Sequence, residues 1–423
     1  MEERKVLVIS YYFPPMGLSG VQRTLKFVKY LPLYDWKPIV LTTSPVQFYA
    51  FDETLNDEIP EDEYQIYRTG TAKDSKSKKK RKTKRFPSYL YQKAGRAFLQ
   101  TIYQPDSKRP WLKHALKKGD EIIRENNIDV IYATAPPFTD FLVASELSKK
   151  HGIPFVVDYR DVWIDNPFHF FATPFHKLYS AKLEREILNN TEKAIVTTRY
   201  TKELLLKRHG FISHNDIYII SHGYDPSDFN QQDKINPNPD KLVITHSGLF
   251  QDNRTPKYFL KAVSQFFKNK PEAAQTTELR FVGIMRKRHL KYIKKYGLEK
   301  NTVCTGYLQH NEVIRHLLES DLLWLMQNDK VRSPGKLYEY FGAKKPVLAC
   351  VPDGIIKKQV EDYEASFTTF PKDVANITKM LIKMYDMWKN NNLPRPEDNY
   401  VKQFNRKQLT GELAKILTLT TEI

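Results

Sequence analysis

Residues 5–41 read KVLVISYYFPPMGLSGVQRTLKFVKYLPLYDWKPIVL, and this stretch decides the fold. It opens on Lys5-Val-Leu-Val-Ile-Ser10, a short continuous apolar run of the kind buried on both faces of a parallel sheet. A loop rich in Pro and Gly runs from Tyr11 to Gly20. Val21, Leu25, Val28 and Leu31 then recur at helical spacing, and Lys37-Pro-Ile-Val-Leu41 is the next apolar run. Strand, loop, helix and strand in this order form the unit from which doubly wound α/β sheets are built.

The pattern continues. Ile128–Tyr132 reads as a strand, 133–138 as a loop and the following residues to about Lys150 as a helix. Ile153–Val157 is a strand ending in Asp158-Tyr-Arg-Asp161, and Ala194–Thr197 and Ile217–Ile220 read as later strands. From Asp225 to Asp240 the chain is polar and holds three prolines, which reads as an interdomain linker. Beyond it the pattern restarts, with strands at Leu242–Thr245, Leu279–Val282, Val303, Leu322–Leu325 and Pro346–Ala349. Helices are expected near 256–269, 311–319 and 335–343, and residues 400–423 read as one last amphipathic helix whose docking the pattern leaves open, the first domain being one candidate. The expected organisation is α/β throughout: a domain at 1–225, a linker at 226–240 and a second domain at 241–399, each built on a doubly wound sheet.

Composition bounds the function. A chain of 423 residues suits two or three domains at roughly 150 residues each. Apolar residues at 41% exclude a largely disordered chain. The net charge of +18 favours anionic partners: nucleic acid, acidic lipid or phosphorylated small molecules. With only Cys304 and Cys350, a disulfide framework is excluded and a reducing, cytoplasmic compartment fits. The N-terminus MEERKVLVIS does not read as a signal peptide, and no run approaches the roughly 20 apolar residues of a spanning helix, so the chain is expected to be soluble or peripheral.

Ligands of open α/β sheets bind beyond the carboxyl ends of the strands, and several loops there carry chemistry. In Tyr11–Gly20, Gly17 and Gly20 allow backbone to approach a ligand and the next helix start to bind an anion; an ordinary βα turn is the bland alternative. Asp158-Tyr-Arg160-Asp161 can position hydroxyls and balance charge, or form a structural ion pair. A metal-binding role is disfavoured because its carboxylates flank an arginine. In Ser247-Gly-Leu-Phe-Gln-Asp-Asn-Arg254, Arg254 suits a diphosphate or is a plain surface arginine. In Ser333-Pro-Gly-Lys-Leu-Tyr-Glu339, Pro334-Gly335 opens a helix whose free N–H groups and Lys336 would face an anion together. Glu339, one turn in, can accept from a ribose diol or be a solvated helix residue.

SYYFPPMGLSGVQRTLKFVKYLP, DVIYATAPPF, IPFVVDYRDVW, ISHGYDPSDF, THSGLFQDNR and SPGKLYEYFGAKKPVLA stand in this order along the chain. Together they resemble retaining glycosyltransferases of family 4, most of all the bacterial surface-polysaccharide branch, over nearly everything except about 50–120. The resemblance implies a GT-B fold with the site between two Rossmann-like domains. It also implies a nucleotide-diphosphate sugar held mainly by the second domain, transfer with retention, no cofactor and no metal. Leaving-group stabilisation by Arg, Lys and helix N–H groups would be the main catalytic contribution.

On this resemblance Glu339 matches the second glutamate of the family's E-x7-E motif, which binds ribose. The first would fall at Val331 and is missing, so recognition of the donor hexose must differ. Lys336 and the N–H groups around Gly335 and Leu337 match the diphosphate-facing helix start, and Arg254 stands in for a diphosphate arginine at an unusual offset from Gly248. Gly17, Gly20, Gly248 and Gly283 complete the donor side; Arg160, Asp161, Arg254 and Lys336 are the expected catalytic groups. Arg160 falls where many members have a histidine; it stays charged and cannot act as a base. His222 falls where the family commonly has Asn and reads as a loop substitution.

Residues 73–85, KDSKSKKKRKTKR, hold nine Lys or Arg, including Lys78, Lys79, Lys80, Arg81 and Lys82. Such a run is a solvated loop or an electrostatic contact for an anionic membrane surface or a lipid-diphosphate acceptor; nucleic acid is not the expected partner. The aromatic stretch Phe86–Trp111 beside it can supply an interfacial face or belong to the core. The expected activity is transfer of a sugar from a nucleotide-diphosphate sugar to a lipid-linked or polysaccharide acceptor. An inactive GT-B scaffold that binds polyanions, and a sugar-nucleotide epimerase or hydrolase, are the competing readings.

Overall fold

A computed structural model of the chain describes residues 3–17, 19–44, 51–60, 63–70, 95, 98–166, 169–230, 235–250 and 254–422. The basic run 73–85, with Lys78 to Lys82, lies outside them. The chain forms two compact units, one of residues 1–221 and 406–423 and one of residues 222–405.

In the first unit a seven-stranded parallel sheet holds β1 (Arg4–Ile9), β2 (Trp36–Thr43), β3 (Gln65–Thr69), β4 (Val130–Ala135), β5 (Phe155–Tyr159), β6 (Lys193–Val196) and β7 (Ile217–Ile219). Their order is β3-β2-β1-β4-β5-β6-β7. Helices α1 (Ser19–Tyr30), α2 (Leu112–Glu125), α3 (Thr139–His151), α4 (Pro174–Asn190) and α5 (Arg199–Arg208) connect them. The apolar run of β1 reads without alternation because both faces are covered. Leu7 and Ile9 join one core with Ala115, Phe141 and Leu147 of α2 and α3, while Val6 and Val8 join another with Val21, Leu25 and Val28 of α1.

The second core is completed by the C-terminal helix Arg406–Thr421, whose Leu409, Leu413, Ile416 and Leu417 lie against it. Tyr34 donates to the Lys407 carbonyl at 2.8 Å, and Trp36 Nε1 to Thr418 Oγ1 at 3.3 Å. The single helix read over 400–423 is therefore two: Asp398–Lys402 and Arg406–Thr421, split between the units. The break follows from packing. Phe404 turns into the second unit, its ring 5.3 Å from that of Phe341, although its spacing from Val401 is helical.

The second unit holds a six-stranded parallel sheet of β8 (Leu242–Ser247), β9 (Thr277–Val282), β10 (Thr302–Gly306), β11 (Leu322–Met326), β12 (Val347–Cys350) and β13 (Ser366–Thr369), in the order β10-β9-β8-β11-β12-β13. Around it run α6 (Lys257–Asn269), α7 (Lys287–Lys295), α8 (His310–Leu318), α9 (Gly335–Ala343), α10 (Ile355–Asp362) and α11 (Val374–Lys389). Trp324 of β11 stacks on Phe259 of α6, with centroids 3.9 Å apart. Residues 222–230 pack here. Tyr224 N–H donates to the Phe404 carbonyl at 3.0 Å, and its ring fills the space over Gly342, where a Cβ would meet it at 2.6 Å.

In each sheet the order reverses, between β1 and β4 and between β8 and β11. These switch points open a crevice at the carboxyl ends of the strands, which is where a doubly wound sheet holds ligands. The edge strands β3 and β13 are additions to the sequence reading.

Candidate functional site

In the second unit, β8 ends in Ser247 and the chain turns at Gly248, whose φ is +92°. The positive φ favours glycine, and a Cβ at Gly248 would lie 3.0 Å from Lys336 Nζ, so the lysine would have to shift to admit a side chain. Gly283, at the end of β9 with φ +132°, crosses Gly248 so closely that a Cβ there would sit 2.9 Å from the Gly248 carbonyl oxygen. Two backbones thus meet without side chains at the ends of β8 and β9, leaving room for a ligand atom to approach.

Lys336 reaches this point from the first turn of α9. Its Nζ donates to the Ser247 carbonyl and lies 3.4 Å from His246 Nε2. Burial and the neighbouring Arg254 bring the Lys336 ammonium down to about 7, with Glu339 opposing them. Two cationic side chains therefore share one small region. No side chain caps α9, which starts after Pro334, so its first-turn N–H groups are intrinsic donors, except that Leu337 N–H is taken by the Pro334 carbonyl at 3.0 Å. The Leu337 side chain itself is core.

Two tyrosines of α9 fix this geometry. Tyr340 OH accepts from Ser247 N–H at 2.9 Å and donates to the Trp324 carbonyl at 3.3 Å, which locks the helix to β8 and β11. Burial pushes its phenol up to about 12. Tyr338 OH meets Ser333 Oγ at 2.8 Å and Gln359 Nε2 at 3.2 Å, setting the turn that starts α9. The His222 ring lies edge-on 6.0 Å from Tyr338, within the second unit.

Glu339 is half-buried, and Oε1 lies 4.0 Å from His310 Nδ1 on the first residue of α8. The other nitrogen of His310 is 3.1 Å from Asp228 Oδ2. The sequence reading missed His310 and Asp228; the available signal was Gln309 and Glu312, whose capping box fixes the start of α8. At Val331, Asp329 closes the loop on itself. It accepts from the N–H groups of Val331 (3.3 Å) and Arg332 (2.9 Å) and pairs with the Arg332 guanidinium at 2.9 Å.

In the first unit, Gly17, Gly20, Arg160 and Asp161 lie at the carboxyl ends of β1 and β5. Arg160 is buried and donates through Nη1 to the Gly20 carbonyl and through Nη2 to the Pro136 carbonyl. It thereby ties the start of α1 to the loop after β4. Asp161 is half-buried. The ion pair of this strand end is not Asp158 with Arg160. Asp158 is fully buried and takes Arg23 at 2.8 and 2.9 Å, Tyr132 OH at 2.6 Å and Thr134 Oγ1 at 3.1 Å. The loop Tyr11–Gly20 is pinned by Asp140 of α3, which accepts Tyr11 N–H at 2.9 Å and whose carboxyl burial raises well above the usual range.

The site residues thus fall in two groups, each within one unit. Gly248, Arg254, Gly283, Gly335, Lys336 and Glu339 stand around the ends of β8, β9 and β11, and Gly17, Gly20, Arg160 and Asp161 around the ends of β1 and β5.

Residues 74–228 match the family described as Glycosyltransferase Family 4, and residues 227–403 the one described as Glycosyl transferases group 1. No curated protein matches the chain. Among solved structures, a glycosyltransferase from Rickettsia africae superposes with a TM-score of 0.65 at 14% identity, covering 99% of each chain. The Anabaena protein HepE, in complex with UDP and glucose, gives 0.64 at 14%, covering 98% of this chain and 99% of its own. Sucrose-phosphate synthase from Thermosynechococcus elongatus gives 0.65 at 12%, covering 98% of each. At these identities the likeness is one of fold.

Proposed function

The chain is a glycosyltransferase of the GT-B fold, and from that premise we propose that it moves a sugar, with retention at the anomeric carbon, from a nucleotide-diphosphate donor to a lipid-linked or polysaccharide acceptor. The observation that carries the donor part is the Lys336 ammonium at the α9 start, set against the side-chain-free crossing of Gly248 and Gly283 and close enough to Arg254 to be depressed by it. Two positive side chains and first-turn N–H groups converge where a doubly wound sheet takes its ligand, and a diphosphate fits that chemistry. HepE, which shares the fold, is a complex with UDP and glucose, which supports a nucleoside diphosphate as the leaving group.

In this reading Lys336 and Arg254 neutralise the charge that grows on the diphosphate as the glycosidic bond breaks. The Gly335 and Lys336 N–H groups add dipoles without reorganisation, and no metal ion or cofactor is required. Glu339 receives the ribose hydroxyls, held by His310, itself placed by Asp228. In the first unit Arg160 positions the Gly20 loop, and Asp161 stands next to it at the end of β5. Because Val331 stands where the resembled family has its first glutamate, the Asp329–Arg332 loop shapes donor-hexose recognition instead. The protein acts in the cytoplasm, peripherally on the inner face of an anionic bacterial membrane, in surface-polysaccharide synthesis. No described helix is long and apolar enough to cross a membrane.

The test is a melting-temperature screen with UDP, GDP, ADP, dTDP and CMP, each with and without EDTA, followed by transfer assays on Glu339→Ala. A shift selective for one diphosphate and undiminished by EDTA is expected, since a ligand of the native state stabilises it by mass action. Transfer at the normal rate by Glu339→Ala would refute the site.

A further inference from the structure

We propose that one face of the first unit, made by α4 and the helical turn 98–102, docks on an anionic phospholipid surface; this rests on, and deepens, the membrane part of the reading above. On α4, Phe175 is 79% and Leu178 66% exposed, with Tyr179 beside them. Spacings of three and four residues put all of them on one helix face. The turn 98–102 adds Phe98 at 65% exposure, with Leu99 and Ile102. One hydrogen bond joins the turn to α4 directly, the Thr101 carbonyl accepting from His176 Nε2 at 3.2 Å, and two more tie the flanking residues: Gln100 Oε1 accepts from Phe170 N–H, just before α4, at 3.3 Å, and Gln104 Oε1, just after the turn, accepts from Ser180 Oγ at 2.9 Å. The apolar side chains of the two segments therefore belong to one held surface. Large apolar side chains exposed in contiguity mark an interaction site.

The charges choose the occupant. The same exposed side of α4 carries Lys182 and Arg185, against one exposed carboxylate, Glu186, which lies 3.8 Å from Lys182. The remaining acid of the helix, Glu184, is buried and pairs with Arg208 at 3.1 Å and His209 at 3.2 Å. Lys182, Arg185 and Phe211 border an open depression of about 690 Å³, with the Arg185 guanidinium 5.7 Å from the Phe211 ring centre. Apolar side chains in front, flanked by cations on one helix side, suit the headgroup boundary of an acidic leaflet: the rings enter the acyl edge and the cations meet lipid phosphates. A second copy of the chain would instead bring like charges together.

The experiment is co-sedimentation of the full chain with vesicles of phosphatidylcholine alone and with phosphatidylglycerol added, for the wild type, F175S/L178S and K182E/R185E. Binding should require the anionic lipid, and each variant should weaken it about tenfold. Each variant is also melted with and without the nucleoside diphosphate that shifts the wild type. A retained shift shows an intact fold and donor site, so failure of the surface is separable from failure of the donor reading. No binding of the wild type to anionic vesicles, or unchanged binding of F175S/L178S, overturns the proposal. So does a wild-type dimer in light scattering that F175S/L178S turns into a monomer, which would make this face a contact between copies.

Discussion

Lys336 Nζ lies 3.4 Å from His246 Nε2, while His246 Nδ1 is 2.9 Å from the Trp324 carbonyl oxygen. A carbonyl only accepts, so Nδ1 carries the proton and Nε2 turns a lone pair to the ammonium. Burial, then Lys336 and Arg254, hold the imidazole well below its usual range, so it stays neutral beside the lysine. The stacked Phe250 ring, 4.4 Å away, completes that burial.

A proton should therefore accompany the donor. With Lys336 at about 7, the free protein at pH 8 holds it mostly neutral, and an arriving diphosphate restores the ammonium. Calorimetry of diphosphate binding at pH 8, in two buffers of different ionisation enthalpy, should show uptake approaching one proton. At pH 6 the uptake should vanish, and affinity should fall as pH rises through 7. The linkage to folding has the opposite sense. Between about 7 and the ordinary lysine value of about 10.4 the unfolded chain holds the proton and the folded one does not, so this group adds stability as pH rises. Absence of proton uptake at pH 8 would show that Lys336 does not meet the diphosphate.

Lys336→Met keeps most of the side-chain volume and removes the charge. If the ammonium stabilises the leaving group, turnover should drop about 10²–10³-fold, as for loss of one transition-state donor. The melting temperature should hold or rise, because a half-buried cation beside Arg254 is removed. Comparable losses in stability and rate would assign Lys336 to the fold instead.

The doubly wound sheets were legible because their central strands are covered on both faces and so read as unbroken apolar runs, as Val6 to Ile9 do. Strands β3 and β13 are short, partly exposed edges whose sequences, QIYRT and SFTT, lack that signature. The placement of Gly335, Lys336 and Glu339 in the first turns of a helix was legible because a helix start after Pro-Gly has a local pattern. His246, His310 and Asp140 were not, since each acquires its role from a partner brought by folding: Trp324, Asp228 and Tyr11. The break before Arg406 was hidden because Phe404 keeps a helical spacing while its ring joins a different core.

The crossing of Gly248 and Gly283 makes a paired substitution informative. Gly283→Ala places a Cβ 2.9 Å from the Gly248 carbonyl at a φ of +132°, whereas Gly297→Ala, at φ +67°, meets nothing within 4 Å. The second should cost only left-handed backbone strain, about 1 kcal/mol. The first adds a clash with backbone that cannot swing aside, so it should cost about 3 kcal/mol or more and weaken diphosphate binding with it. Denaturant unfolding of both variants measures the difference; equal losses would mean that the two strand ends can separate freely.

Arg160 separates a positioning role from a chemical one. Its Nη1 and Nη2 donate to the carbonyls of Gly20 and Pro136, so its fork bridges α1 to the loop after β4. Arg160→Ala strands two carbonyls and should cost about 2–3 kcal/mol, read as a melting temperature lower by about 4–10 °C. Arg160→Lys should recover little of this, because a lysine is a point donor and cannot span both oxygens in a fixed plane. The rate follows from the same geometry. If Arg160 acts through the Gly20 loop, both variants should raise the KM for acceptor while leaving the pH profile of kcat in place, since no titrating group has been removed. A variant that melts like the wild type yet loses kcat would move Arg160 from the scaffold of the loop to the reacting sugar.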